Sequence, residues 1–160
     1  MLSVEEAQGR ILDMFQPLEP ERKALLEALG QVLAEDVVST LDIPPLNNAA
    51  MDGYAVQHEA IEGATYDVPK ALRVIGHLAA GQLPQQEVVP GTAVRIMTGA
   101  PIPPGADTVV PFEETDEFER KSLGMGPLDI REIRVRAKIS RGANVRPAGQ
   151  DIGMGQTALK

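Results

Sequence analysis

Apolar residues recur at Val4, Ala7, Ile11, Met14 and Phe15, the three-and-four spacing of one helical face, and Pro17 stops the pattern. Just ahead, Ser3-Val4-Glu5-Glu6 has the spacing of a capping box, with the Ser3 hydroxyl taking the Glu6 amide and the Glu6 side chain reaching back. A second, shorter stripe, Leu25, Leu26 and Leu29, predicts a helix from Pro20 or Glu21 to Leu29, closed by Gly30. So short a stripe needs a packing partner to be stable. The valine-rich run from Gln31 to Ser39 reads as a strand.

From Tyr54 onward, helical spacing gives way to alternation. Leu72, Val74, Gly76 and Leu78 alternate with Arg73, Ile75 and His77, which predicts a strand with the first set on one face. Pro90-Gly91 is a turn signal before Thr92–Ile96, and Pro103-Pro104-Gly105 is another before Thr108–Phe112. Ile133, Val135, Ala137 and Ile139 alternate with Arg134, Arg136 and Lys138, a half-buried strand pattern. Short strands at this spacing predict a compact, mostly antiparallel β module, barrel-like or sandwich-like. No βαβ alternation is present, so a Rossmann sheet is not expected. The helical start and the β middle together make an α+β chain of two domains.

Composition narrows the functions open to it. The chain has 160 residues, enough for one ordinary domain or two small ones, and 43% hydrophobic residues supply a core. With 3% aromatics and no Trp, that core is aliphatic. A net charge of −8, from 15 basic and 23 acidic residues, argues against a nucleic-acid binder. The absence of Cys excludes disulfides, thiolate catalysis and Cys-ligated metal centres. His58 and His77 are too isolated to suggest a histidine metal site. No run approaches the ~20 apolar residues of a membrane span, and no signal-peptide core precedes the first helix, so the expected location is the cytoplasm.

The densest chemistry lies in Asp42-Ile43-Pro44-Pro45-Leu46-Asn47-Asn48-Ala49-Ala50-Met51-Asp52-Gly53-Tyr54-Ala55-Val56. The diproline enforces a stiff, non-helical entry, and Asn47, Asn48, Asp52 and Gly53 are types that tolerate tight turns. Such a loop presents Asp52 ahead of an apolar segment. Its carboxylate can orient a substrate, accept a proton or bind a hard cation, or it can cap nearby amides in a turn. Thr98-Gly99-Ala100-Pro101 places a hydroxyl and an approachable backbone at a strand end, suited to an anion or to an ordinary turn. It is not a Walker loop, because no Gly-Lys-Ser/Thr follows.

The acidic run Glu113, Glu114, Asp116, Glu117 and Glu119 reads as a solvated loop rather than a metal or acid–base pair. Arg131, Arg134, Arg136, Lys138, Arg141 and Arg146 form a basic segment, read as a solvated face or as pairing with the acidic run. Arg146, Gly149 and Asp151 read as a turn in which Arg and Asp pair.

Three of these segments also carry a resemblance. Pro-Pro-x-Asn-x-Ala-Met-Asp-Gly-Tyr-Ala-Val in the loop, Arg95-Ile96-Met97-Thr98-Gly99-Ala100-Pro101 with Pro104-Gly105-Ala106-Asp107, and Arg146-x-x-Gly149-x-Asp151-Ile152 resemble, in order, the MoeA/gephyrin E-domain family of molybdopterin molybdenumtransferases. The chain departs from that pattern at Ala49, where the family usually has Ser, and at Gln150, where it usually has Glu. The resemblance covers the family's N-terminal region only. It implies an elongated helical/β first domain, residues 1–47 with 138–160, and an inserted small β domain, residues 48–137. It implies that the whole protein inserts molybdate into adenylylated molybdopterin, with magnesium held mainly outside this stretch, and that it forms a homodimer. Asp52 and Thr98 are thereby expected as catalytic residues and Gly99, Asn48 and Gly53 as substrate-binding, with no metal ligand assigned. Without the pterin-binding domain that follows in the family, this stretch is expected to be inactive alone. The alternative is a stand-alone dimerisation or binding module. Neither reading involves nucleic acid or a membrane.

Overall fold

The computed structural model describes residues 2–124, 126 and 130–160. The chain divides into two compact units, Met1–Val37 with Leu159–Lys160, and Val38–Ala158.

In the first unit the capping box forms as expected. The Glu6 amide donates to Ser3 Oγ at 3.1 Å and the Ser3 amide donates to Glu6 Oε2 at 3.0 Å. Helix α1, Val4–Leu12, follows, with no buried residue. The second predicted helix is reduced to a single 3₁₀ turn, Leu25–Glu27. Its stripe faces solvent, with Leu25, Leu26 and Leu29 about nine-tenths exposed, so the packing that would stabilise three turns is missing. The strand expected from Gln31 is confined to β1, Val37–Val38, which pairs with β9, Thr157–Leu159.

The second unit is built mostly of strands. These are β2 (Asn48–Ala49), β3 (Gly53–Val56), β4 (Lys70–Leu78), β5 (Thr92–Ile96), β6 (Thr108–Pro111), β7 (Glu132–Val135) and β8 (Val145–Arg146), joined by the α-helix α2 (Glu117–Ser122) and short 3₁₀ turns. Five of them form a sheet in the order β6-β3-β5-β4-β7, and β2 pairs with β8. All neighbours in the large sheet are antiparallel except β4 and β5, which run parallel. The expected mostly antiparallel module is present, with one parallel pair.

Apolar side chains cover both faces of this sheet. Tyr54, Val56, Leu72, Val74, Ala93, Val110, Ile133 and Val135 belong to one core cluster. Ala55, Leu78, Val94, Ile96 and Val109 belong to another. Leu78 therefore does not share a face with Leu72 and Val74, as simple alternation predicted. The register shifts between Val74 and Gly76, and one inserted residue turns every later side chain over. β7 is also shorter than its pattern. β4 begins at Lys70, opposite Val135, so nothing remains for residue 137 to pair with, and the Arg136 amide donates to the Glu114 carbonyl at 2.9 Å. That bond and a bridge between Thr115 and Val135 draw the segment after β6 against β7 and curl the sheet toward a half-barrel.

Candidate functional site

The diproline loop is tied down at several points before it reaches Asp52. Asp42 Oδ1 accepts the Met154 amide and Asn47 Oδ1 accepts the Ala148 amide, each at 2.8 Å. The Ala49 amide donates to the Ala100 carbonyl at 2.9 Å, and the Gly99 amide donates to the Ala49 carbonyl at 2.8 Å. The Asn48–Ala49 segment is thus held between the turn at 99–101 and β8. Ala49 is 1% exposed in an apolar cluster, a place that suits a methyl group with no hydroxyl to satisfy.

Asp52 and Thr98, 46 positions apart in sequence, meet at the end of the sheet. One carboxylate oxygen, Oδ1, accepts both the Thr98 amide at 2.8 Å and the Thr98 hydroxyl at 2.7 Å. The register explains the meeting: Gly53 lies opposite Ile96, so the residue before one and the turn after the other share a strand end. The Thr98 amide, then its hydroxyl, hold the Asp52 carboxyl below the usual carboxylate range, helped by the charges of Arg95 and Lys121 and opposed by partial burial. The pair is a fixed anion at the surface. It can orient a donor, accept a proton at low pH or offer an oxygen to a cation.

The other expected residues take different places. Asn48 is half-buried, and its buried Oδ1 has no hydrogen-bond partner among the described residues. With Gly99, Pro45, Leu46 and Pro101 it lines a cavity of about 190 Å³. Gly99 is exposed in the turn at φ 82°, a conformation that favours glycine. Gly53 is buried, and a Cβ there would fall onto the Val110 carbonyl. Its missing side chain is what lets β3 approach β6.

Beneath Asp52 and Thr98 lies a buried polar group that the acidic-run reading missed. Glu117 is fully buried, not solvated. Its Oε2 accepts Arg95 Nε at 2.9 Å and the Tyr54 hydroxyl at 2.7 Å, and its Oε1 accepts Arg95 Nη2 at 3.1 Å. Burial, and then the bond to Glu117, push the Tyr54 hydroxyl far above its ordinary range. Asp116 is also buried, accepting the Arg134 amide at 2.8 Å and pairing with Arg120 at 2.7 Å. A buried charge needs a partner, so the lone Arg95 within the apolar run Thr92–Ile96 was the sequence signal for a hidden carboxylate.

Three side chains of the basic segment, Arg136, Arg141 and Arg146, meet carboxylates. Arg136 meets Glu119 at 2.5 Å, as expected for pairing with the acidic run, while Arg141 meets Glu59 at 2.7 Å. Arg146 Nη2 donates to both oxygens of Asp151 at 2.8 Å, so that predicted pair forms. His58 lies 3.0 Å from the Ile139 carbonyl. His77 sits on β4, where burial, and then the charges of Arg95 and Arg131, push its imidazole below its ordinary value. Among the described residues, no three His, Cys, Asp or Glu side chains cluster as metal ligands. Among the same residues, no helix is long and apolar enough to cross a membrane.

Comparison with known proteins gives a consistent answer. The family model for the MoeA N-terminal region, domains I and II, matches residues 2–160. Molybdopterin molybdenumtransferase 2 of Mycobacterium tuberculosis is 39% identical over 159 residues, 99% of this chain and 36% of that protein. A molybdopterin molybdenumtransferase of Staphylococcus epidermidis is 35% identical over 158 residues, again 99% of this chain and 35% of its own length. Among solved structures, the molybdopterin biosynthesis moeA protein from Pyrococcus horikoshii OT3 superposes with a TM-score of 0.83 at 34% identity, covering 98% of this chain and 38% of that one. The chain therefore spans little more than a third of the length of these relatives.

Proposed function

Because the chain belongs to the MoeA N-terminal-region family, we propose that it is the N-terminal part of a molybdopterin molybdenumtransferase, which inserts molybdate into adenylylated molybdopterin. The observation that carries this reading is the Asp52–Thr98 pair, a fixed carboxylate at the end of a rigid sheet. In the complete protein this pair forms one wall of the substrate cleft, with Asn48 and Gly99 lining the adjacent cavity. Gly53 serves from behind, by letting the strands close up.

Molybdate and the pterin phosphate are anions, and an ionised Asp52 repels both unless a cation or a donor lies between. Magnesium, when bound, neutralises phosphate charge, and it is commonly held by one or two carboxylates together with substrate phosphates. Asp52 fits as one such oxygen. The remaining protein ligands belong outside this stretch. The reaction takes place in the cytoplasm.

A second reading, a homodimerisation or binding module without catalytic activity, is favoured by one observation. The first unit buries no side chain of α1 and leaves Leu18, Leu25, Leu26 and Leu29 almost fully exposed. Such apolar surface suits a symmetric partner copy. The two readings are compatible if the complete enzyme is a homodimer.

The test uses adenylylated molybdopterin and molybdate as substrates. The chain alone is expected to give no turnover. A chimera carrying residues 2–160 in place of the matching region of the Mycobacterium tuberculosis relative is expected to turn over, and to lose activity with Asp52→Asn. Robust turnover by the chain alone, or a folded chimera without turnover, contradicts the reading.

A further inference from the structure

The guanidinium of Arg95 joins the two strand ends that carry Asp52 and Thr98. Its Nη1 donates to the Gly53 carbonyl at 3.3 Å and to the Ile96 carbonyl at 3.0 Å, and approaches Met97 Sδ at 3.7 Å. Gly53 directly follows Asp52, and Met97 directly precedes Thr98. The rest of the guanidinium is locked from the other side by both oxygens of Glu117, which also holds the Tyr54 hydroxyl. Arg95 further stacks near the Tyr54 and Phe112 rings, 5.4 and 5.7 Å from their centroids.

Stability alone is a poor reason for such a group. A buried ion pair is often no more stable than well-packed apolar residues of the same volume, so what it contributes must be sought in geometry. Here the geometry is specific: one planar fork binds a carbonyl from each of two neighbouring strands at the point where the ladder ends. We propose that Arg95, locked by Glu117 and Tyr54, is a positioning residue that fixes the distance between Asp52 and Thr98. Helix α2 thereby reaches the candidate site through its buried first residue, Glu117.

The effect on turnover rests on the reading of Asp52 and Thr98 as substrate-facing; the positional effect does not. Two measurements therefore separate them. The first follows the Asp52 carboxyl by ¹³C NMR titration in the full chain. The second follows kcat and KM in the chimera. Glu117→Gln weakens the lock on Arg95, Arg95→Lys cannot bridge both carbonyls and the carboxylate, and Tyr54→Phe removes a single hydroxyl.

In Glu117→Gln and Arg95→Lys, Asp52 is expected to titrate closer to its ordinary 3.8, because its bonds to Thr98 loosen. Turnover is expected to fall by about tenfold or more with KM within about twofold, the signature of misplaced rather than missing contacts. If Glu117→Gln fails to fold, Tyr54→Phe is expected to shift Asp52 in the same direction by less. Wild-type titration of Asp52 in every folded variant overturns the proposal. A shifted titration with unchanged turnover upholds the positioning and overturns the catalytic reading of Asp52.

Discussion

Helix α1 and strand β3 are both short regular segments, but they owe their form to different things. α1 buries none of its nine residues, and its start is held by a reciprocal pair of bonds between Ser3 and Glu6. β3 is buried at all four positions and takes its register from β5 and β6 on either side. One is specified by its own few residues, the other by partners 39 to 58 positions away. Local chemistry suffices to shape an element, whereas only long-range pairing brings Asp52 to Thr98. A site built on the second kind of element is rigid, as a fixed carboxylate requires.

Substitutions should separate the two regimes. The largest effect is expected from Arg95→Met, which leaves Glu117 buried without its charge partner; a loss of about 3–5 kcal/mol in denaturant unfolding follows from such unpaired charges. Gly53→Ala comes next. Its new methyl would meet the Val110 carbonyl, so β3 and β6 must separate, at about 1–3 kcal/mol by the same measurement. Ser3→Ala removes the cap of α1 and is expected to cost about 1 kcal/mol of local helix stability, seen as faster amide exchange in residues 4–12. Global unfolding of the β unit should not change with it. A large global loss from Ser3→Ala would erase the contrast between the regions.

The smallest effect is a pH dependence. Asp52 is held below its ordinary 3.8, so its bonds to Thr98 stabilise the fold fully above that value. The stabilisation is lost as pH falls through the lower folded-state value. Thr98→Val removes the hydroxyl bond and keeps the amide bond. It is expected to lower neutral-pH stability by the part of this stabilisation that the hydroxyl bond supplies, to leave stability in acid nearly unchanged, and so to shrink the loss below pH 3.8, read from unfolding midpoints along an acid series.

The sequence pattern showed the strands well where alternation and turn residues agreed, as at Thr92–Ile96 after Pro90-Gly91. It showed α1 through its cap. It overestimated the second helix, because the stripe of Leu25, Leu26 and Leu29 states a need for burial without saying whether anything meets it. It placed Leu78 on the wrong face, because no residue type announces a bulge at Ile75 strongly enough to stop an alternating count. Around the site, Asp52 and Thr98 stood out as residues, but their contact depends on a strand register that periodicity does not contain. Glu117 was hidden in the acidic run. Its neighbour Phe118 is 64% exposed while Glu117 is fully buried, the reverse of what polarity suggests. Only Arg95, a charge in a buried strand, pointed to it.

The measurement that bears most directly on Asp52 and Thr98 as one functional unit is a double-mutant cycle in the chimera, with Asp52→Asn, Thr98→Val and both together, read as kcat for molybdate insertion. If the pair acts as a unit, each single change lowers kcat by about a hundredfold and the double change is little worse than either, a coupling of about 2.7 kcal/mol. Single variants that retain wild-type kcat, or losses that simply multiply in the double variant, would contradict the account.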